Sequence, residues 1–279
     1  MSAKKTENKP IKKTDLNKQY YFISGMPRAG STLICNILSQ NPKFHSSATS
    51  GIMDVMFGVR NQWDNLLEFK ASPNPDAKLR VLRGILENYY ADVDKSVIFD
   101  KSRGWLSLIG MAEEILGHKI KIIVPVRDVR DVLASFEKLW RENSKTSQMG
   151  QESQNYFGFQ TVAGRMESFM KGDQTFGLAY NRITDAIQRG YADRLLLVDF
   201  DDLTGNPNET FEKIYEFLGE DLFKHDFNNV EQVTWENDEV HGMKGLHDIR
   251  PKVAPMEPQW PKILGPSAEK YGQMNFWKN

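Results

Sequence analysis

The segment 20–38 constrains the fold of this chain more than any other stretch of its sequence. An apolar run over 20–23 reaches Gly25, a Pro-Arg-Ala-Gly turn follows, and Ser31 and Thr32 open a stretch with apolar residues at helical spacing. This order predicts a strand, an anion-binding loop and a helix. Backbone N–H groups and the positive end of the helix dipole favour an anion at a helix N-terminus.

The loop departs from the phosphate-loop template G-x-x-x-x-G-K-[ST] at one position. Gly25, Gly30 and Thr32 are in register with the template, but Ser31 stands where the lysine belongs. A cation occurs inside the loop instead, as Arg28. The loop can therefore hold an anionic group, but it lacks the lysine that ATP and GTP hydrolases direct at the terminal phosphates. A plain strand-to-helix turn without a ligand fits the same glycines and stays open as an alternative.

Length and composition narrow the class of protein. A chain of 279 residues, 40% of them hydrophobic, has room for one large domain or two small ones. The net charge of −1 and the isoelectric point near 6.5 argue against a nucleic-acid partner, since nucleic-acid binders carry a clear basic excess. No apolar run approaches the roughly 18 residues that suggest a membrane span, so no membrane partner is expected.

The N-terminal segment and the number of cysteines indicate in which cellular compartment the protein is expected. The segment 1–18 is polar and rich in lysine, which predicts a disordered basic tail rather than a secretory signal. The single cysteine, Cys35, excludes an internal disulfide and suits a reducing compartment, so a cytoplasmic location is expected. The five histidines include no i, i+4 pair and there is no cysteine cluster, which argues against a metal site.

Short apolar segments alternate with helical patterns along the chain. The segments 20–24, 96–99, 120–126 and 195–200 are apolar without alternation, which is typical of parallel strands buried on both faces. Helices are predicted at 104–116, 128–140, 169–187 and 206–218. In the second of these helices, Arg130 and Asp131 are expected to be solvated charges of the first turn. The alternation predicts an α/β fold with a central parallel sheet flanked by helices, in a single domain over 19–279.

Three segments lie outside this scaffold. The segment 43–94 is predicted to be helical and, together with 142–159, to form inserts that wall a substrate site. The segment 241–266 is rich in proline and glycine and is expected to wrap the surface, with Trp260 and Trp277 as anchors.

Cations follow the predicted strands. Ligands of a parallel sheet bind at the carboxyl ends of its strands, so Arg28, Lys101, Arg103 and Arg127 are expected to converge on one crevice. A chain with a net charge near zero that concentrates cations in one place is suited to bind a polyanion. Arg127 and Ser135 are eight residues apart, close enough for both to reach one phosphate.

Three motifs together give a specific resemblance. They are Pro27-Arg28-Ala29-Gly30-Ser31-Thr32-Leu33, then Asp100-Lys101, then Val126-Arg127-Asp128-x-Arg130-Asp131-Val132-x-x-Ser135. The set resembles the sulfotransferase family that uses 3′-phosphoadenosine 5′-phosphosulfate (PAPS). Its Pro-Arg-x-Gly-[ST]-Thr loop looks like the branch that contains tyrosylprotein sulfotransferases and bacterial relatives. The segments 197–207 and 241–252 are similar to later parts of that family, and 241–266 is then its cofactor-covering loop.

The resemblance implies a phosphate-loop-like sulfotransferase fold and a set of contacts to PAPS or its spent product, PAP. The backbone of 29–32 and the hydroxyls of Ser31 and Thr32 would hold the 5′-phosphate, with Arg28 and Lys101 at the sulfuryl group. Ala29 and Gly30 belong to the backbone that would hold the 5′-phosphate. The resemblance assigns the 3′-phosphate to Arg127, Ser135, Arg250 and Lys252. The adenine would meet Phe200, which stands in place of the family's tyrosine.

The catalytic base of the family is missing from both of its usual positions. Tyrosylprotein sulfotransferases carry a glutamate a few residues after the Asn-Pro that ends the first helix, and here Ala48 or Thr49 falls there. The cytosolic branch uses a histidine two residues after the lysine, where Arg103 stands. The remaining candidates are His45, Asp54, His241 and His247, of which His45 is taken as the candidate base.

The sequence thus predicts a sulfotransferase that transfers a sulfuryl group in line and without a metal. The acceptor is a hydroxyl or, with less support, an amine, on a small molecule, a saccharide or a tyrosine. Two alternatives remain: a small-molecule kinase of the phosphate-loop class, which would need Mg²⁺ and a loop lysine, and a non-catalytic nucleotide-binding protein. A homodimer is compatible with the sequence.

Overall fold

A five-stranded sheet forms the centre of the molecule in a computed structural model, which describes residues 18–144, 157–241 and 245–278. Its strands are β1 (Gln19–Ile23), β2 (Phe44–Thr49), β3 (Val97–Lys101), β4 (Ile122–Val126) and β5 (Leu195–Asp199). Their order is β2-β3-β1-β4-β5, and every pair of neighbours is parallel. The prediction of an α/β fold with a central parallel sheet is confirmed.

Helices cover both faces of the sheet. They are α1 (Ser31–Leu38), α2 (Ile52–Asn65), α3 (Leu67–Ala71), α4 (Pro75–Tyr89), α5 (Ile109–Leu116), α6 (Val129–Asn143), α7 (Val162–Phe169), α8 (Thr175–Gln188), α9 (Phe200–Gly205), α10 (Pro207–Leu218) and α11 (Trp260–Leu264). Consecutive residues of β1 enter opposite cores, because side chains alternate across a strand. Tyr20 and Phe22 pack in one core, and Tyr21 and Ile23 pack in the other.

The strand β2 corrects the expectation that 43–94 is helical throughout. The helices α2, α3 and α4 do follow, but the segment begins with an edge strand that pairs with β3. Its sequence, Phe-His-Ser-Ser-Ala-Thr, contains no apolar run, so the pattern typical of a buried strand is absent. Ser47 explains how a polar residue is tolerated there, since its Oγ accepts a 2.9 Å hydrogen bond from the backbone N–H of Lys101.

Two aspartates fasten the C-terminal segment to the sheet edge. Asp131 is buried, not solvated as expected from the sequence, because its Oδ1 accepts hydrogen bonds from the backbone N–H groups of Gln259 at 2.8 Å and Trp260 at 3.1 Å. Trp277 donates from Nε1 to Asp199 at 2.7 Å. These contacts hold both tryptophans that were expected to anchor the segment.

Parts of the expected termini and inserts lie outside the described residues. These are 1–17 of the tail, 145–156 of the second insert and 242–244 of the covering loop. Over the ranges that are described, no helix combines the length and apolar character that crossing a membrane requires.

Gly25 sets how closely the loop after β1 approaches the neighbouring strand. A Cβ atom at Gly25 would lie 2.3 Å from the backbone oxygen of Pro125 in β4 and 2.7 Å from its Cδ. No side chain fits at that distance, so the loop can reach its position only with glycine there.

Replacement of Gly25 by alanine is therefore expected to destabilise the protein by about 1–3 kcal/mol, the usual cost of overpacking. Gly84→Ala is the matched control. Its Cβ would meet nothing closer than 3.8 Å in the helix α4, so a small gain of about 0.5–1 kcal/mol is expected from helix propensity. Urea unfolding of both variants checks this, and equal stability of the two would refute the role of the close approach.

Candidate active site

The loop between β1 and α1 has the geometry that the sequence predicted, a turn directed at a helix start. Arg28 adopts a left-handed backbone with φ of 60°, which is strained for a residue with a side chain. Gly30, with φ of 87°, is the N-cap of α1, and no side chain caps the helix. No acidic residue lies in its first turn. The N-terminus of α1 is thus left as an anion-binding end.

Arg28 ties the loop to two other parts of the molecule. Its Nε donates a 3.0 Å hydrogen bond to Ser135 Oγ on α6, and its Nη1 donates to the carbonyl oxygen of Leu246. Burial lowers the pKa of Arg28, and the like charge of Arg127 lowers it further. The Ser135 hydroxyl, which the sequence predicts to share a phosphate with Arg127, accepts its hydrogen bond from Arg28 in this structure.

Arg127 follows β4 and lies beside the loop. Its Nη1 donates to the Arg28 carbonyl oxygen at 3.2 Å, and its guanidinium carbon lies 4.2 Å from the centre of the Phe200 ring. Its Nε is buried without a hydrogen-bond partner in the described ranges, and burial lowers its pKa. Within those ranges neither Arg28 nor Arg127 forms a salt bridge.

Lys101 ends β3 on the other side of the loop. Its Nζ lies 2.7 Å from Glu236 Oε1 and 3.4 Å from Thr32 Oγ1 at the start of α1. Its neighbour Asp100 points away into the core, where Trp105 donates to its Oδ1 at 2.6 Å. Lys101 is therefore the member of this pair that reaches the loop.

A cavity of about 650 Å³ opens between the carboxyl edge of the sheet and the C-terminal segment. Its lining includes the following predicted site residues: Arg28, Gly30, Ser31, Thr32, Arg103, Arg127, Ser135, Phe200, Arg250 and Lys252. Lys101 touches the lining residue Thr32. The described residues include no cluster of side chains suited to a metal ion.

The candidate base His45 lies elsewhere. It is the second residue of β2 and pairs with Ile98 near the start of β3, whereas the cavity contains Thr49 from the opposite end of β2. Among the other candidates, Asp54 is exposed on α2 and His247 lines the cavity. The side chain of His241 lies outside the described part of the structure.

Glu236 is the site residue that the sequence did not reveal. Its side chain is 9% exposed, and its Oε1 accepts hydrogen bonds from the backbone N–H and the Oγ1 of Thr49, each at 2.8 Å. His247 Nε2 lies 3.3 Å from Oε2, and His247 Nδ1 lies 2.5 Å from Asp238 Oδ1. Thr49 is one of the two positions where the resemblance places a glutamate, so a carboxylate from a distant segment reaches that place. An irregular segment offers no periodic signal that would have singled it out.

The charge state of Glu236 follows from its contacts. Burial alone would raise the pKa of this carboxyl, but the Lys101 ammonium and the Thr49 hydrogen bonds outweigh it and hold the pKa below its usual range. Glu236 is thus a carboxylate at neutral pH.

Comparison with known proteins adds a family match. A family model described as "Sulfotransferase domain" matches residues 18–261. Sulfotransferase 1A1 of Rattus norvegicus is 25% identical over 117 residues, 42% of this chain and 37% of that protein, and the Mus musculus protein is 26% identical over the same shares. The matched stretch spans under two fifths of these two relatives.

Solved structures support the fold. The sulfotransferase domain of the Synechococcus PCC 7002 olefin synthase superposes with a TM-score of 0.52 at 18% identity, over 95% of this chain and 98% of that one. Sulfotransferase STF9 of Mycobacterium avium gives 0.51 at 12% identity, over 94% and 76%.

Arg28 and Arg127 are expected to bind a small anion between them. At matched ionic strength, sulfate is expected to raise the Tm more than chloride by about 2–4 °C, the size that about 1 kcal/mol of binding gives in a chain of this length. The reason is that a bound anion relieves the repulsion between Arg28 and Arg127. Arg127→Met should lose most of the difference, while Arg189→Met, which alters an exposed arginine paired with Asp185, should keep it. An unchanged difference in Arg127→Met would exclude the site.

Proposed function

The chain belongs to the sulfotransferase domain family, and from that membership we propose that it transfers a sulfuryl group from PAPS to an acceptor hydroxyl, with an amine as the less favoured acceptor. The observation that carries the proposal is the placement of Arg28, Arg127 and Lys101 around the N-terminus of α1. Arg28 and Arg127 form no salt bridge in the described ranges, as expected of groups that bind an anionic ligand.

The residues at the cavity fit a nucleotide with phosphates at both ends of its ribose. The buried Nε of Arg127 has no hydrogen-bond partner in the part of the chain that the structure describes. A buried donor without an acceptor is costly, so a phosphate oxygen there would satisfy it. Ser135, with Arg250 and Lys252 on the facing wall, would share that 3′-phosphate. The backbone of 29–32 with the Ser31 and Thr32 hydroxyls would hold the 5′-phosphate.

The chemistry asked of these side chains is electrostatic. When bound, the nucleotide supplies an activated sulfuryl group that an acceptor oxygen can attack in line. Negative charge then develops on the bridging oxygen, and Arg28 and Lys101 stabilise it because the fold holds both beside the start of α1. No metal is needed for this role, since the two cations supply the positive charge.

The finer features of the proposal concern the branch, the acceptor and the domain. The arginine in the Pro27-Arg28 turn supports the branch of tyrosylprotein sulfotransferases and bacterial relatives. A small molecule, a saccharide or a tyrosine remains the proposed acceptor class. The segment 19–279 is proposed to act as one sulfotransferase domain, either alone or as a homodimer.

Binding of PAP is expected to raise the Tm of the protein, and Arg127→Ala should remove most of that shift because it deletes the 3′-phosphate contact. Arg189→Ala, remote from the cavity, should retain the shift. A thermal-shift titration measures this, together with transfer of labelled sulfuryl to a panel of phenols, alcohols, sugars and tyrosine peptides. Full PAP binding without transfer to any of them would favour a non-catalytic protein. Chelator-sensitive transfer from ATP would favour a kinase.

Arg28→Ala is expected to lower kcat by about 10²–10³-fold, the usual cost of deleting a preorganised charge at a developing oxyanion. The KM for the donor should change much less, because Arg28 is assigned to the transition state rather than to ground-state binding. Steady-state kinetics with PAPS measures both parameters. Equal losses in kcat and donor affinity would instead mark Arg28 as a uniform binding contact.

A further inference from the structure

The two oxygens of the Glu236 carboxylate are used unequally. Oε1 accepts from Lys101 Nζ at 2.7 Å and from the N–H and Oγ1 of Thr49 at 2.8 Å each. Oε2 has one neighbour in the described ranges, His247 Nε2 at 3.3 Å. Because a carboxylate offers about four acceptor positions, the free capacity of Glu236 lies on Oε2.

Glu236 lies behind residues that line the cavity and is not itself part of that lining. Thr49 and His247, which hold the carboxylate, both line the cavity, and so does Thr32, which touches Lys101. The carboxylate is therefore within one side-chain layer of the space where Lys101 would meet the sulfuryl group.

We propose that Glu236 is the general base of the transfer reaction, accepting the proton of the acceptor hydroxyl on Oε2. This inference rests on the function proposed above. It assigns removal of the acceptor proton to a residue outside the expected positions. Ala48 and Thr49 carry no carboxylate, and Arg103 is not a base. His45 lies near the start of β2, away from the cavity.

The proposed step balances in atoms and charge. The acceptor O–H proton moves to Glu236 Oε2 as the acceptor oxygen forms a bond to sulfur. The bond between sulfur and the bridging oxygen of the 5′-phosphate breaks, and its electron pair leaves with PAP. Lys101 and Arg28 face the oxygen that gains this charge, and the protonated Glu236 later returns its proton to solvent.

Binding of the donor also strengthens the base. In the free protein Lys101 neutralises Glu236, which makes the carboxylate a weak proton acceptor. When Lys101 turns to the sulfuryl group, Glu236 loses part of its counter-charge, and its burial then favours the protonated form. His247 and Asp238 act as positioning residues, because the hydrogen bond from His247 Nδ1 to Asp238 orients the ring beside Oε2.

Glu236→Gln tests the proposal, because the change preserves shape and removes the base. It should lower kcat for phenol or an alcohol by about 10²–10⁴-fold, the range of general base catalysis, while PAP still raises the Tm. Glu231→Gln is the control, since Glu231 is an exposed glutamate of the same segment, and it should keep wild-type rates. Glu236→Asp, which retains a carboxylate, should recover part of the rate.

A nitrophenol acceptor separates a base from a structural residue. This phenol is already ionised at mildly alkaline pH, so no proton has to be removed, and Glu236→Gln should transfer to it at close to the wild-type rate. Equal losses of rate with phenol and nitrophenol would overturn the proposal. So would wild-type kcat and tighter PAP binding in Glu236→Gln, which is the result expected if Glu236 only forms a salt bridge with Lys101. Absence of any transfer by the wild-type protein would overturn the proposed function as well.

Discussion

The site depends on two arginines, Arg28 and Arg127, that the fold holds side by side without a salt bridge among the described residues. The charge of Arg127 lowers the pKa of Arg28, and burial lowers the pKa of both. Arg28 has a left-handed backbone, and Arg127 has a buried nitrogen that lacks a hydrogen-bond partner among the described residues. Each of these features costs folding free energy. Arg165, which is also buried, is by contrast paired with Glu137 at 2.6 Å. The unpaired arginines at the sheet edge are the feature on which the proposal of an anionic ligand rests.

The carboxyl edge of a parallel sheet explains why these cations meet. Gly25 lets the loop after β1 approach β4, so that Arg28 comes beside Arg127, and the pairing of β1 with β3 brings Lys101 to the start of α1. The convergence of these cations was predictable from the sequence, because four of the strands are plain apolar runs. Once such a strand is recognised, the residues at its carboxyl end are known. The strand β2 was not predictable, because its serines are stabilised by pairing with β3 and leave no apolar pattern.

The wall of the cavity that the segment between α10 and α11 forms could not be predicted from hydrophobic patterns. The described residues between α10 and α11 include little regular structure, so hydrophobic periodicity says nothing about where they lie. Single polar contacts hold them instead: Asp131 binds the backbone at Gln259, Arg28 donates to the Leu246 carbonyl, and Glu236 meets Lys101. Each contact joins residues more than a hundred positions apart, and a charge pattern in one dimension does not reveal such partners. Asp131 was for this reason expected to be solvated, and Glu236 was missed.

Lys101 connects the two halves of the proposed chemistry. A single ammonium contacts the Glu236 carboxylate in the free protein and is the group assigned to the sulfuryl oxygens when the donor binds. It cannot fully neutralise both anions, so donor binding must weaken its hold on Glu236. The pKa of that carboxyl then rises as the acceptor approaches. In the proposed mechanism the base therefore becomes effective only when there is a sulfuryl group to transfer, and the lysine that stabilises the leaving charge also controls when the proton moves.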